Sequence, residues 1–279
     1  MKNNFMLFPQ GKPKALTFSY DDGPKEDRAL VALFNKYNLK GTFNLNSQWL
    51  INRESNGDMG VRASEVKELY AGHEVAVHGL THPFLERLPV DAMMYETLKD
   101  RENLEKISGQ IVRGMAYPFG TYNDDVVRVA RDAGIRYSRT CGTHHSFKID
   151  RDWLRMPSTC HHADERLFEL AEKFTNRTPP ERWTEIEGWL FYVWGHSYEF
   201  RCDEDWNRIE QFFKIVSNRD DVWYATNLEI YNYITAYDSL EFSIDMSIVH
   251  NPSAVDVWLK HNEKEVVCIP AGATVVLDK

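Results

Sequence analysis

Short apolar runs alternate with longer amphipathic segments along this chain of 279 residues, and this order constrains its fold most. The run KALTFSY at 14–20 precedes a segment in which Leu30, Val31 and Phe34 recur at helical spacing, and a second short run, GTFNL, follows. Apolar residues at that spacing predict an amphipathic helix, and short bounded apolar runs predict buried strands. The strand–helix order is typical of an α/β domain with a largely parallel sheet or barrel.

The same pattern continues to about residue 237. Further strands are predicted at 74–77, 114–117, 135–139, 189–194 and 222–225. Helices are predicted at 64–70, 90–107, 124–133, 164–174, 206–216 and 228–237. Beyond this point, three alternating β-type segments are separated by turn signals. We therefore predict a barrel domain over 1–237 and a small antiparallel β appendage over 238–279, with a packing or edge-covering role.

Charge and composition exclude several classes of partner. The 33 Lys and Arg against 42 Asp and Glu give a net charge of -9, which offers little attraction for nucleic acid or an acidic membrane surface. No stretch approaches the roughly 18 apolar residues of a membrane span, and the first apolar run is too short for a signal peptide. The chain as given is therefore expected to be cytoplasmic. The four cysteines form no CxxC pair and are few for this length, so reduced thiols are expected.

Four polar clusters follow directly on predicted strands. They are DDGP after TFSY, HGLTH after EVAV, PFG after MAY and GH after FYVW. The C-terminal ends of parallel strands converge on one face, where active sites are built, so the clusters are predicted to meet there. Each is weak evidence alone, because DDGP is a good turn sequence and an isolated HxxxH pair is more often coincidental. Their coincidence on one face indicates a functional site.

Together the clusters supply the parts of a hydrolase. A carboxylate and two imidazoles can bind a divalent metal and leave positions open for water and substrate. A second carboxylate, Asp21, adjoins the ligand Asp22. A metal lowers the pKa of bound water, a nearby carboxylate can accept its proton, and a histidine opposite can protonate the leaving group. The set indicates metal-assisted hydrolysis of an amide or ester.

These motifs resemble those of the polysaccharide deacetylases, the carbohydrate esterases with a NodB-homology domain. The likeness extends from about residue 14 to 237, with TFSYDDGP as the first motif, HGLTHP as the second, AYPFG as the third and FYVWGH as the last. The resemblance implies a distorted (β/α) barrel. It also implies that Asp22, His78 and His82 bind one divalent metal ion. Zinc is the expected metal, with cobalt, manganese or nickel as alternatives. Asp21 is then the implied general base and His196 the implied general acid.

The resemblance also implies how substrate is held. The backbone N–H of Phe119 would join the metal in stabilising the oxyanion, a role that needs no particular side chain. Pro118, Phe119, Tyr122 and Trp194 are expected to contact an acetylated saccharide. Trp153 is a further candidate for stacking on a sugar, with core packing as the alternative for such large rings.

One position departs from the family pattern. The third motif usually carries an arginine two residues before its proline, oriented on the base, and here that position is Ala116. A bidentate arginine is the usual means of fixing a carboxylate. Arg139, at the end of the next strand, is our first candidate to replace it and Arg155 the second, with a structural or surface arginine as the alternative for either. Arg113 precedes the strand predicted at 114–117 and is expected near the face of the barrel opposite the four polar clusters.

A loop-rich stretch contains two clusters of cysteine and histidine. Its members are Cys141, His144, His145, Cys160, His161 and His162. They could form a structural zinc site, although their spacing matches no common zinc module. Lining the substrate groove near Arg139 is the favoured interpretation, with loop polarity as the alternative.

Three functions follow from these observations. The leading hypothesis is a metal-dependent hydrolase that removes N- or O-acetyl groups from an amino-sugar or xylan-type saccharide. The second is a cyclic-amide hydrolase on the same scaffold, resembling the allantoinases. The third, motivated by Ala116, is a metal-free saccharide-binding protein that has lost catalysis. Metal content would identify the third, and acetate release against ring opening would separate the first two.

Overall fold

The computed structural model of this protein describes residues 4–57, 59–182, 184–262 and 265–277. Its strands are β1 (Asn4–Leu7), β2 (Lys14–Asp21), β3 (Thr42–Leu45), β4 (Glu74–Val77), β5 (Gly114–Ala116), β6 (Tyr137–Thr143), β7 (Met156–Ser158), β8 (Cys160–His161), β9 (Trp189–Gly195), β10 (Val222–Tyr224), β11 (Glu241–Phe242), β12 (Ile248–His250), β13 (Val257–His261), β14 (Glu265–Ile269) and β15 (Thr274–Val276). Its α-helices are α1 (Asp27–Lys36), α2 (Ser47–Asn52), α3 (Val66–Leu69), α4 (Val90–Ser108), α5 (Asp124–Asp132), α6 (Leu167–Asn176), α7 (Asp203–Val216) and α8 (Asn227–Asp238).

A parallel sheet of nine strands forms the centre of the described structure. Its order is β7-β6-β5-β4-β3-β2-β9-β8, and β10 pairs with β2 as well. β7 and β8, the strands at the two ends of this order, are separated in the sequence by Thr159 alone. The Thr159 N–H donates to the Tyr192 carbonyl of β9 (2.8 Å), and its own carbonyl accepts from the His145 N–H (3.0 Å). The sheet therefore curls until its ends approach, which confirms the predicted distorted (β/α) barrel.

The central strands are apolar because helices cover the sheet. β2 is buried along all eight of its residues, as expected for a parallel strand with both faces covered. From α1, the predicted apolar face packs inward, and the Phe34 ring lies 4.9 Å from that of Phe18 and 5.2 Å from that of Phe213. At the end of α4, Gly109 adopts a left-handed conformation with φ 73°, which closes the helix.

Most predicted elements are present within a few residues, and the differences have a common cause. The strand predicted at 135–139 runs from Tyr137 to Thr143, because it continues along β7. β1, β7, β8 and α2 were not predicted. Each is short, and a strand of two to four residues is defined by its distant pairing partner rather than by a periodic pattern.

The C-terminal residues form two small antiparallel sheets. β13 pairs with β1, from the opposite end of the chain, on one side and with β14 on the other, and β11, β12 and β15 form the second sheet. β1 also bonds to the segment before β9, since Met6 exchanges hydrogen bonds with Ile186 and Gly188. This places β1 and its sheet at the N-terminal ends of the barrel strands, away from the polar clusters. The domain division at 237/238 stays a prediction.

None of the helices in the described part of the chain is long and apolar enough to cross a membrane. The predicted cytoplasmic location stays a prediction.

Candidate metal centre and active site

Three donor groups meet where β2 and β4 end. Asp22 follows β2, and His78 and His82 follow β4. The Asp22 Oδ1 atom lies 3.6 Å from His78 Nε2 and 3.6 Å from His82 Nε2, and the three donor atoms lie within 4.8 Å of one another. The structure therefore brings together the three side chains that the resemblance implies as metal ligands.

The donor set fits a divalent metal. Asp22 Oδ1 is buried and has no hydrogen-bond partner among the described residues, which is costly unless a ligand meets it. His78 Nδ1 lies 2.8 Å from the Ala116 carbonyl oxygen; since a carbonyl only accepts, Nδ1 carries the proton and the Nε2 lone pair faces Asp22. One carboxylate oxygen and two imidazole nitrogens suit zinc and its neighbours in the first transition row.

The electrostatics of the donor groups also favour binding of a divalent metal. Burial raises the pKa of Asp22 to about 6, with the Asp21 charge adding to the effect. Burial lowers the pKa of His78 to about 4 and also lowers that of His82. The imidazoles are therefore neutral and able to coordinate at neutral pH, and a bound cation would favour the ionised Asp22.

The backbone around the donors is strained. Asp22, His82 and Phe119 have φ values of 75°, 59° and 59°, in the left-handed region, which costs roughly 1–3 kcal/mol for a residue other than glycine. At Gly79, with φ 76°, an added Cβ would meet Pro118 Cγ at 3.2 Å. Strain of this kind persists only where the surrounding structure enforces it, and here it coincides with the candidate site.

Buried polar groups hold the His78 segment in place. Asp100 of α4 accepts hydrogen bonds from the Ser47 N–H (2.7 Å) and the His78 N–H (3.1 Å). The Asn46 amide donates to the carbonyl oxygens of His78 and Gly79. Sequence reasoning missed Asp100 and Asn46, because nothing in the local pattern of an outer helix signals contact with a strand end.

Asp21 lies beside the donor triad and has several polar neighbours, two of which donate hydrogen bonds to it. Arg139 Nη2 donates to Asp21 Oδ2, and Asn44 Nδ2 donates to Oδ1 at 2.8 Å. His78 Nε2 and His196 Nε2 each lie 3.8 Å from Asp21 Oδ2. Burial alone would raise the pKa of Asp21, but the charge and hydrogen bond of Arg139, together with the charge of His196, outweigh it, and the pKa is lowered. Asp21 is a carboxylate at neutral pH.

Sheet register explains why Arg139 reaches Asp21. Arg139 pairs with Ala116 across β5 and β6, so its side chain stands next to the position where the family usually carries arginine. It is 1% exposed, and its guanidinium lies 4.3 Å from the centre of the Trp194 ring. Arg155 instead forms surface ion pairs with Asp124 and Asp152, and Arg113 donates to the Gly134 carbonyl before β6.

His196 faces Asp21 on one side and Glu199 on the other. Its Nδ1 atom lies 3.5 Å from Glu199 Oε1. Burial by itself would lower the pKa of His196, but the nearby carboxylates of Glu199 and Asp21 outweigh it, and the pKa is raised. His196 is therefore poised to hold a proton, as a general acid requires. Sequence reasoning missed Glu199.

Two further histidines hold Glu199. Its Oε2 atom lies 3.1 Å from His161 Nε2, 3.0 Å from His162 Nε2 and 3.2 Å from the His196 backbone nitrogen, which donates to it. Burial would raise the pKa of Glu199, but these hydrogen bonds outweigh it and the pKa is lowered. Oε1 is left facing His196.

His161, His196 and Glu199 also lie close enough to suggest a second metal site. The tautomer of His161 opposes this. The Ala163 N–H donates to His161 Nδ1 at 3.1 Å, so Nδ1 carries the lone pair and Nε2 carries the proton that bonds to Glu199. A protonated Nε2 cannot coordinate a metal.

The six residues of the cysteine and histidine stretch do not converge on one centre within the described structure. His145 pairs with Asp164 at 2.6 Å, Cys160 is buried in β8, and Cys141 is exposed. Among the described residues, no group of possible metal donors contains more than one of these six side chains, so the alternative of a structural zinc site in this stretch has no support.

The residues expected to contact substrate differ in how exposed they are. Phe119 is 50% exposed, and its ring stacks on that of Phe84 at 3.9 Å. Tyr122 is 38% exposed, whereas Pro118 is buried and Trp194 is half-buried beneath Arg139. Trp153 packs on Tyr231 of α8, in a core separate from the donor triad, so its predicted role in sugar stacking has no support.

The comparisons with known proteins agree with the fold. Residues 9–138 match the family described as polysaccharide deacetylase, and no curated protein sequence matches this chain. A Mycobacterium smegmatis protein assigned as a polysaccharide deacetylase is 16% identical, with a TM-score of 0.58 over 84% of this chain and 94% of that chain. A family 4 carbohydrate esterase from Streptomyces lividans, solved with acetate, is 14% identical, with a TM-score of 0.50 over 76% and 91%.

Two other structural matches cover different shares of this chain. A family 4 pseudoenzyme from Bacillus anthracis is 18% identical, with a TM-score of 0.51 over 81% of this chain and 68% of that chain. A Streptococcus pyogenes deacetylase, solved with acetate, is 23% identical but matches over 45% of this chain and 55% of its own length, with a TM-score of 0.42. The predicted resemblance to polysaccharide deacetylases is confirmed over residues 9–138.

Proposed function

We propose that this protein, whose residues 9–138 match the polysaccharide deacetylase family, is a metal-dependent hydrolase that removes N- or O-acetyl groups from an amino-sugar or xylan-type saccharide. One observation carries the proposal. The triad of Asp22, His78 and His82 lies beside a carboxylate, Asp21, whose Oδ2 is 3.8 Å from His196 Nε2. A donor triad, a base and an acid on one face are the parts that acyl hydrolysis needs.

The triad would hold the metal, with zinc expected first. When bound, a divalent metal supplies Lewis-acid polarisation of the acetyl carbonyl and lowers the pKa of water. Asp21 accepts the proton of the attacking water. It can do so because its low pKa keeps it ionised, while Arg139 and Asn44 hold its two oxygens in one orientation.

His196 and Phe119 complete the chemistry. His196 donates a proton to the departing amine or alcohol, and the Glu199 carboxylate stabilises its charged form. The Phe119 N–H makes no hydrogen bond within the described residues, and its left-handed backbone lies next to the triad. We assign this N–H to the oxyanion, where a fixed donor acts at the developing charge.

Acetate release is the measurement that tests the proposal. The full chain, loaded separately with zinc, cobalt, manganese or nickel, would be assayed on N-acetylated amino-sugar oligomers and O-acetylated xylo-oligomers. Ring opening of a cyclic amide such as allantoin would be followed in parallel. We expect acetate from at least one saccharide class and no ring opening. Ring opening without acetate would favour the cyclic-amide alternative, and saccharide binding without turnover would favour the inactive relative.

Arg139→Ala is expected to lower kcat about 100-fold, the scale of a small misplacement of a reacting group. The physical reason is that Asp21 loses the guanidinium that holds Oδ2. Metal content should stay at the wild-type level, because Arg139 is not a donor of the triad. Steady-state kinetics with elemental analysis would check both.

Two variants control this result. Arg113→Ala should change neither quantity, because Arg113 bonds to the Gly134 carbonyl away from the site. Ala116→Arg in the Arg139→Ala background should restore part of kcat, because positions 116 and 139 are register partners. Wild-type turnover in a folded Arg139→Ala protein would contradict the positioning role.

A further inference from the structure

We infer that Asp27 is a positioning residue, which holds the general acid His196 in place through a hydrogen bond from Ser197. The inference rests on the proposed function and adds a residue that supports its site. Asp27 is the first residue of α1, and Ser197 follows His196 directly in the sequence. The Ser197 hydroxyl donates to Asp27 Oδ1 at 2.5 Å. Both residues are fully buried, so water does not compete for this bond.

The residues around His196 form one tight turn, which we call the acid turn (196–200). The Glu199 N–H donates to the His196 carbonyl at 3.1 Å. The Phe200 N–H donates to the Ser197 carbonyl, also at 3.1 Å. In addition, the His196 N–H donates to the Glu199 side chain. Because these bonds link the acid turn internally, the bond from Ser197 to α1 positions His196 and Glu199 together.

The chain itself connects Asp27 to the other half of the catalytic pair. α1 begins shortly after the DDGP motif (21–24), and the Asp27 N–H donates to the Pro24 carbonyl at 3.2 Å. The DDGP motif and the acid turn are therefore joined at one carboxyl group. The bond between them helps to fix the separation of 3.8 Å between Asp21 Oδ2 and His196 Nε2, on which the acid and base roles depend.

Stability alone does not explain a carboxyl group at this place. Burial raises the pKa of Asp27 to about 7, although hydrogen bonds from Ser197 and Tyr70 oppose the rise. The Tyr70 hydroxyl donates to Asp27 Oδ2 at 2.6 Å, so hydroxyl groups hold both oxygens. A buried carboxyl group that is held by hydroxyls and not by a cation is costly to the folded state. Its position between the two halves of the site indicates a role in catalysis.

Ser197→Ala is the variant that removes this hydrogen bond with the least other change. We expect kcat to fall about tenfold, which is less than the loss that a misplacement of 1 Å can cause. KM and metal content should stay at their wild-type values. Asp27→Ala should give the same loss, and the double variant should lose no more than either single variant, because both changes remove one bond. Steady-state kinetics of acetate release and elemental analysis are the measurements.

Two further variants separate positioning from structural support. Asp27→Asn keeps an oxygen that accepts from Ser197 and turns its amide N–H₂ group toward the Tyr70 oxygen, so kcat should stay near the wild-type value. Tyr70→Phe removes the other hydrogen bond of Asp27 without touching the acid turn, so it should lower Tm and leave kcat unchanged. Equal losses of kcat in Tyr70→Phe and Ser197→Ala would overturn the positioning role.

A second readout does not require turnover. The titration of His196 would be followed by NMR in metal-free protein with labelled histidines, and the His196→Ala spectrum would identify its signals. Burial lowers the pKa of His196, and the carboxylates of Glu199 and Asp21 raise it. Glu199 moves with the acid turn, whereas Asp21 does not. We therefore expect Ser197→Ala and Asp27→Ala to lower this pKa, and Asp27→Asn to change it little.

The outcomes separate the positioning role from the deacetylase activity. A lowered pKa of His196 in Ser197→Ala, without acetate release by the wild type, would support the positioning role and overturn the proposed function. Acetate release by the wild type, with kcat and this pKa unchanged in Ser197→Ala, would overturn the positioning role and leave the proposed function standing. A loss of kcat in Asp27→Asn as large as that in Asp27→Ala would also overturn the positioning role, because it would show that the charge acts and not the bond.

Discussion

Replacement of His78 by alanine is expected to remove the bound metal and the acetate release together. The reason is that the described site supplies three donors, Asp22, His78 and His82, on two strand ends. Two remaining donors cannot close a tetrahedral site with an open position. Since a catalytic metal contributes several kcal/mol of transition-state stabilisation, kcat/KM should fall about a thousandfold or more. Elemental analysis of the purified variant and an acetate assay are the measurements.

A matched control distinguishes the two candidate groups of metal-binding side chains. His161→Ala should retain one metal per chain, because His161 Nε2 carries a proton and bonds to Glu199 instead of to a metal. Stoichiometric metal in an Asp22→Ala, His78→Ala double variant would show that the metal lies elsewhere. A second metal equivalent lost with His161 would contradict the tautomer assigned to it.

Replacement of His196 by alanine is expected to lower kcat by about 10²–10⁴-fold with the metal still bound. A general acid contributes to the departure of the amine or alcohol without coordinating the metal, so catalysis and metal content should separate. Asp21→Asn should behave in the same way, because an amide cannot accept the proton of water. Turnover near the wild-type value in either variant would refute the acid and base roles.

The pH profile supplies the companion measurement. His196 acts while protonated, so activity falls as pH rises through its raised pKa, and this fall forms the alkaline limb of the profile. Glu199→Gln removes the carboxylate that favours the protonated imidazole. The pKa of His196 should then fall, and the alkaline limb should move to lower pH. An unchanged limb would show that Glu199 holds only the local structure.

The core of the site was predictable from the sequence because it follows from local patterns. Strands defined by apolar runs end at DDGP, HGLTH, PFG and GH, and the parallel arrangement sends all four ends to one face. This places Asp21, Asp22, His78, His82 and His196 together without any knowledge of packing, and the structure gathers these five side chains. The strand–helix order likewise implies the barrel-like α/β fold.

The tertiary structure decided which residues support that core. Sequence offered both Arg139 and Arg155 as substitutes at Ala116, and the register between β5 and β6 selects Arg139. Asp100 and Glu199 were not foreseen, since one reaches the site from an outer helix and the other through histidines of a neighbouring strand.

The same distinction explains the pairing of the two ends of the chain and the contact between Trp49 and His82. β1 pairs with β13 across the whole length of the protein, and Trp49 reaches His82 from a helix of six residues. Periodicity reports which face of a segment is buried, because that depends on the segment alone. Which distant segment covers that face depends on register and packing between elements, and these are settled only when the whole chain has folded.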